Sequence, residues 1–345
     1  MALHLNLQGF LHLFLYLQFK KELFHLRRPI ILLLGLYLAA AAFLYIISPK
    51  KAESQPVPNP PPDFTRPSAL KTDSYLIYDL SSGDILEVPR ENFIAATVAL
   101  EMDPDSPKEA LKAQAIAARS YYDRLRQENI RRDFHFICNC EKGTVWAQDT
   151  YFRELWGDEY EDAMAKINSA VEESGGIVLK YKGVTAYAPY FPVSCGVTSQ
   201  DPEFPYLISV ASPYDSLSPY FEDSRSFTPE EVEEICRKTW PEGRFDFNME
   251  YEDWFSEIVY STGTVVYSTN ICGFGVTGKE VREAFELASS AFMVEYKDGK
   301  FIIHTRGLGH GVGMSQHGAI QMAVSGSSCE EILAWYYPGT VLAEG

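Results

Sequence analysis

The hydrophobic and polar positions of this chain change period several times, and each change predicts an element. Residues 30–47 carry no charge and are almost wholly apolar. Eighteen helical residues rise about 27 Å, enough to cross a bilayer core. Upstream, leucine fills most odd positions from Leu3 to Leu17, a strand-like alternation with no sheet to join. Downstream, residues 54–67 hold prolines at 56, 58, 60, 61, 62 and 67, a composition that favours polyproline II and a semi-rigid spacer. Residues 75–88 read as a hairpin, with apolar strands either side of Ser81-Ser82-Gly83-Asp84. Residues 91–102 read as a helix, because Ile94, Thr97, Val98 and Glu101 recur at i, i+3, i+4 and i+7. Ser106-Pro107-Lys108-Glu109 has the form of a capping box opening a helix over 107–127. Further helices are predicted over 162–173, 229–238, 278–287 and 329–336, and a strand-rich stretch over 178–194 turns at Lys182-Gly183.

These elements do not alternate as in a doubly wound sheet, so the expected class is α+β. Mixed helices and antiparallel sheet would form a two-lobed globular domain with a central groove, preceded by a transmembrane helix and a Pro-rich linker. The expected divisions are 1–29, 30–47, 48–70 and 71–345. Lys20, Lys21, Arg27 and Arg28 precede the apolar run and no small-x-small site closes it. The run is therefore expected to be an uncleaved anchor with a cytoplasmic N-terminus and the large domain outside. The whole chain has a formal net charge of −17; the first 47 residues carry four basic and one acidic side chain, so the remainder carries −20. Such a domain is a poor nucleic-acid binder, which needs Lys and Arg against phosphate.

The densest motif is the run from Arg306 to Gly318, where glycine stands at 307, 309, 311 and 313. In an extended strand one face of this ribbon would be bare, leaving room for a polymer. Ser315, Gln316 and His317 follow. Glu101 ends the uncharged helix, and burial there would raise its pKa, as a general acid near neutral pH requires. Arg119, on the next helix, is expected to contact substrate. Tyr187, Tyr190 and Ser194 lie in a run of alternating aromatics that could wall a sugar site. His135, Cys138 and Cys140 could bind zinc through one imidazole and two thiolates; free thiols or a disulfide are the alternatives for six cysteines.

Three blocks carry a resemblance. They are residues 98–102 leading into 109–122, the run 174–199, and the run from 306 to the Tyr-Tyr-Pro-Gly-Thr ending at 340. Together they resemble the stage II sporulation protein D family, exported murein-cleaving lytic transglycosylases of spore formers. The resemblance implies that Glu101 is the catalytic glutamate. It implies that Arg119, Tyr187, Tyr190, Ser194, Ser315 and Gln316 bind the glycan. It implies cleavage of the MurNAc–GlcNAc bond without water, on glycan strands that a partner amidase has stripped of stem peptides, during forespore engulfment. The expected location is the cell membrane, with the catalytic domain outside on the mother-cell side. The resemblance also implies a structural zinc near the cysteines, as some family members hold one there. Where their second cysteine precedes a glutamine, this chain has Ala147 before Gln148.

Two other readings compete. Cys195 or Ser315 could be a nucleophile served by His304, His310 or His317, hydrolysing an amide. Alternatively the domain binds glycan without cleaving it and stimulates an amidase.

Overall fold

The structure is a computed structural model that describes residues 73–128, 136–140, 143–261 and 264–345. The apolar run 30–47, the Pro-rich linker and His135 lie outside the described residues. Among the described residues, no helix is long and apolar enough to cross a membrane.

The described chain is α+β, built from small, mostly antiparallel sheets, and divides into two compact units. In the first, β1 (Ser74–Asp79) and β2 (Ile85–Pro89) form the predicted hairpin. Asp79 closes its turn by accepting Ser81 N–H at 3.0 Å and Ser81 Oγ at 2.6 Å. Strand β3 (Phe136–Cys138) joins β1 in parallel, and the helix α3 (Asp149–Trp156) completes the unit.

The second unit holds everything else. Helix α1 (Arg90–Glu101) buries every residue from Phe93 to Ala99. It is a core helix apolar all round, where periodicity alone suggested one buried stripe. Helix α2 (Lys108–Glu128) starts one residue later than the expected box. Glu109 does not close a box: its carboxylate accepts Cys329 N–H at 2.8 Å and pairs with Lys112 at 2.9 Å. Helix α4 (Tyr160–Glu173) and the sheet β14-β4-β5 (Val341–Glu344, Ile177–Tyr181, Val184–Thr185) flank α2.

Two hydrophobic cores follow within this unit. One gathers Ile116, Leu179, Met314, Leu333, Tyr336 and Tyr337 beneath α2 and the C-terminal helix Cys329–Tyr336. The other lies among residues 227–303 and centres on Trp254, Phe285, Phe292 and Phe301. It is enclosed by the sheet β10-β9-β8 (Phe274–Thr277, Val266–Ile271, Phe255–Tyr260), the sheet β11-β12-β7 (Phe292–Lys297, Lys300–Arg306, Glu222–Phe227) and helices α5 (Pro229–Thr239) and α6 (Gly278–Ala284). Thr228 and Thr277 cap these helices through full capping boxes with Glu231 and Glu280.

The glycine ribbon is not a bare face. All four glycines adopt positive φ, so the backbone leaves the extended strand after β12 (Lys300–Arg306). The missing side chains face residues 189–199. A Cβ on Gly307 would lie 2.7 Å from the Val193 carbonyl oxygen, and one on Gly313 would lie 1.9 Å from that of Pro189. The ribbon's glycines therefore let two backbones touch, and no polymer lies between them. Val193 and Leu308 exchange N–H···O bonds of 3.1 and 2.7 Å. Strand β13 (Met314–Ser315) then pairs in parallel with β6 (Tyr190–Phe191). Gly313→Ala is expected to cost about 2–5 kcal/mol, from positive φ plus overpacking, read as a lowered urea midpoint at unchanged m-value. An unchanged midpoint would contradict this packing.

Candidate functional site

The meeting of β6 with β13 brings the tyrosine run beside the last residue of α1. Helix α7 (Gln316–Val324) starts there, with Ser315 as its N-cap accepting Gly318 N–H at 3.2 Å. Gln316 is thereby held at the first helical position, and its Nε2 donates to Glu101 Oε2 at 3.1 Å. Glu101 keeps some accessible surface, yet the packing around its carboxyl is dense. That burial raises its pKa above 4.5, and the Gln316 amide only partly opposes the rise.

Tyr121 and Tyr190 border this carboxyl, and Tyr187 packs beside Tyr121. The Tyr121 ring, from α2, lies 5.2 Å from that of Tyr187 and 6.2 Å from that of Tyr190. Burial raises the phenol pKa of all three, and the Glu101 charge adds to the rise for Tyr121 and Tyr190. The phenols therefore stay neutral and can donate hydrogen bonds. Tyr187 is only partly buried and stacks on Phe204 at 4.8 Å. Its flat face suits a sugar ring.

His310 stands behind Tyr190. Its Nδ1 accepts Val312 N–H at 3.1 Å, so the ring proton sits on Nε2, which donates to the Tyr190 carbonyl at 3.1 Å. Part of the ring reaches solvent, but packing against Phe191 and its surroundings dominates. Burial first, then the Arg282 charge, pull its pKa down to about 4.

The structure brings Glu101, Tyr187, Tyr190 and Gln316 together and turns the other expected residues inward. Arg119 is fully buried. Its guanidinium donates to both Glu91 oxygens at 3.0 and 2.5 Å, to the Ile177 carbonyl at 2.9 Å and to Ser174 Oγ at 2.9 Å. It ties α1, α4 and β4 together and has no donor directed at Glu101. Ser194 and Ser315 are also buried. Ser194 N–H and Ser315 Oγ both donate to the buried carboxylate of Asp215, at 2.9 and 2.8 Å. Their polar atoms join the two walls and do not line a groove.

Asp215, on the short 3-10 helix Pro213–Leu217, and Tyr121 were not singled out from sequence. Tyr121 had a signal: it falls on the α2 face of Gln114 and Ala118, at i+7 and i+3. Asp215 had none, because its partners lie 21 and 100 residues away.

Three of the five residues in the triad reading are engaged elsewhere. Ser315 gives its proton to Asp215, His310 has its Nδ1 lone pair occupied, and His304 pairs with Glu295 at 3.2 Å on exposed strands.

In the first unit, the Cys138 and Cys140 side chains touch. Cys140 donates to Cys138 Sγ, which pulls the Cys138 thiol down to about 7 and pushes the Cys140 thiol up. Trp146 N–H at 3.4 Å also points at Cys138 Sγ. A thiolate-prone sulfur with N–H support suits a soft metal. Among the described residues, no group of three or more His, Cys, Asp or Glu converges on a metal position.

A family model described as Stage II sporulation protein matches residues 78–181, which include Glu101, Arg119 and Tyr121. Stage II sporulation protein D of Bacillus amyloliquefaciens is 31% identical over 277 residues, covering 78% of this chain and 78% of that protein. The protein of the same name from Bacillus subtilis (strain 168) is 30% identical over 277 residues, again 78% of each. An amidase enhancer of Bacillus subtilis (strain 168) is 25% identical over 296 residues, 70% of this chain and 39% of that protein. The chain belongs to the stage II sporulation protein D family.

Proposed function

We propose that this protein is a membrane-anchored lytic transglycosylase that cleaves the MurNAc–GlcNAc bond of peptide-stripped peptidoglycan strands, leaving 1,6-anhydro-MurNAc ends. The observation that carries the reading is the carboxyl of Glu101: desolvated, held on one oxygen by Gln316 and bordered by neutral tyrosines. A protonated Glu101 gives its proton to the glycosidic oxygen as the bond from muramyl C1 to that oxygen breaks. The C6 hydroxyl of the same muramyl then closes on C1, and its proton returns to the Glu101 carboxylate. One carboxyl thus acts as acid and then as base, where hydrolytic glycosidases use two. Tyr187 offers a stacking face, and Tyr121 and Tyr190 offer phenols for sugar oxygens.

Residues 30–47 would anchor the chain with its N-terminus in the cytoplasm, and the domain would act on the mother-cell side during forespore engulfment. A peptidoglycan amidase that removes stem peptides would be its partner. Cys138 and Cys140, with His135, would hold a structural zinc ion that takes no part in the reaction. Metal analysis of the purified chain is expected to give one zinc per molecule, lost in a Cys138→Ser, Cys140→Ser double variant. Zinc content unaffected by that change would remove these ligands from consideration.

A second reading, a glycan-binding enhancer of an amidase, is favoured by the similarity to a protein of that name. Incubating the detergent-solubilised full chain with stripped strands separates the two. Anhydromuramyl ends support the transglycosylase, intact but bound strands support the enhancer, and released peptides from unstripped murein would point to a hydrolase.

A further inference from the structure

Gln114, on α2, is fully buried. Both polar atoms of its amide, Nε2 and Oε1, lack a hydrogen-bond partner among the described residues. A buried amide left unpaired lowers stability, and nearly all buried polar groups in folded proteins are paired. An apolar side chain of the same length would avoid that cost. The amide therefore calls for a partner that it meets in another state of the site.

The packing of α1 on α2 identifies that partner. The helices run antiparallel, and three contacts fix their register. Arg90 pairs with Asp123, Arg119 donates to Glu91 at 3.0 Å, and the Phe93 and Tyr122 rings meet edge to face at 4.8 Å. From Phe93, two steps of four residues along α1 reach Thr97 and then Glu101. From Tyr122, the same two steps back along α2 reach Ala118 and then Gln114. Residues four apart lie on one ridge of a helix, so Glu101 comes level with Gln114. Packed helices have axes about 8–10 Å apart, a gap that a glutamate and a glutamine side chain span together. Helix α7 closes the third side. It packs on α2, where its Ala319 shares a core with Ala113 and Ala117, and Gln316 at its start holds Glu101 Oε2. Among the described residues, Gln316 makes the one hydrogen bond that acts on the Glu101 carboxyl. Gln114 is thus opposite Glu101 and not bonded to it.

We propose that Gln114 is a positioning residue for Glu101: its amide turns to donate to the Glu101 carboxylate once the carboxyl has given up its proton. The effect on rate rests on the catalytic reading above. While Glu101 keeps its proton, the Gln316 amide suffices. When the proton passes to the glycosidic oxygen, a full charge forms where burial disfavours it. A second amide already held in the protein interior stabilises that charge without first losing water of its own. The titratable groups against the carboxyl are the Tyr121 phenol from α2 and the Tyr190 phenol from β6, and burial keeps both neutral. They cannot replace the donor as counter-charges.

The test compares the detergent-solubilised full chain with its Gln114→Met variant, which keeps the side-chain length and removes the amide. The urea midpoint should rise, because an unpaired buried amide has been removed. The Glu101 carboxyl band, isolated by difference against the matching Glu101→Gln proteins, should persist to a pH about one to two units higher than in wild type. That is the shift for loss of one hydrogen bond to a charged group. The maximal rate of anhydromuramyl formation should fall about 10- to 100-fold, with the half-saturating strand concentration unchanged. A side chain that served packing alone would leave the band where it was. A lowered urea midpoint would show that the amide is paired where it stands, and an unmoved Glu101 band would show that it does not reach the carboxylate. Either result overturns the proposal. A shifted band together with no anhydromuramyl product from the wild-type chain keeps Gln114 on Glu101 and overturns only the catalytic reading.

Discussion

Glu101→Gln is expected to lower the rate of anhydromuramyl product formation by about 10²–10⁴-fold, the range for loss of a positioned general acid. The amide keeps the shape and can still bond Gln316, so strand binding should remain. Stability should move the other way. Glu101 has a folded pKa above its unfolded value. As pH rises above the ordinary carboxylate range, the unfolded chain therefore loses that proton first, and folding becomes less favourable. Gln carries no such cost, so the variant should be at least as stable as wild type at neutral pH and gain on it as pH rises. An inactive but stabilised protein is the signature of a catalytic carboxyl kept at the expense of stability. The wild-type rate should also fall as pH rises through the raised Glu101 pKa, because the acid must hold its proton. Retained activity in Glu101→Gln would exclude the residue as the acid.

Arg119→Ala is expected to act by a different route. It removes the partner of Glu91 and the donors to Ile177 and Ser174 at once. Glu91 is about half-exposed and can be solvated again (45% of its side chain is accessible), whereas water reaches the part-buried Ile177 carbonyl and the buried Ser174 hydroxyl less readily. The expected loss is about 3 kcal/mol or more, seen as a lowered denaturant midpoint. Arg119→Lys should recover only part, since one ammonium cannot span three elements. Affinity for stripped strands, measured on the folded fraction, should be unchanged in both. A stable Arg119→Ala protein that no longer binds glycan would instead return this side chain to the groove.

The contrast between Glu101 and Arg119 explains what was legible in the sequence. Glu101 could be found because it ends a charge-free helix and stands in a motif that carries the family resemblance; its helix position alone left burial and solvent exposure equally open. The Tyr75-to-Val88 hairpin and most helices were legible for local reasons. Arg119, Ser194 and Ser315 look equally available in the sequence. Whether a polar atom is free depends on its partners, and theirs are Glu91, Ile177 and Asp215, reached only through the tertiary fold. The glycines at 307, 309, 311 and 313 were legible as a close-approach device. What approaches them could not be read, and it is the 189–199 backbone. Helix α7 was missed because Gly318 interrupts it and its apolar residues form no clear stripe.

The most direct test of the central claim is the protonation state of one side chain. Infrared difference spectra between wild type and Glu101→Gln, recorded across a pH series, isolate the Glu101 carboxyl. The account predicts a protonated carboxyl band that persists above pH 4.5 and gives way to carboxylate only at higher pH. A carboxylate band already dominant at or below that pH would contradict it, because the site would then contain no acid.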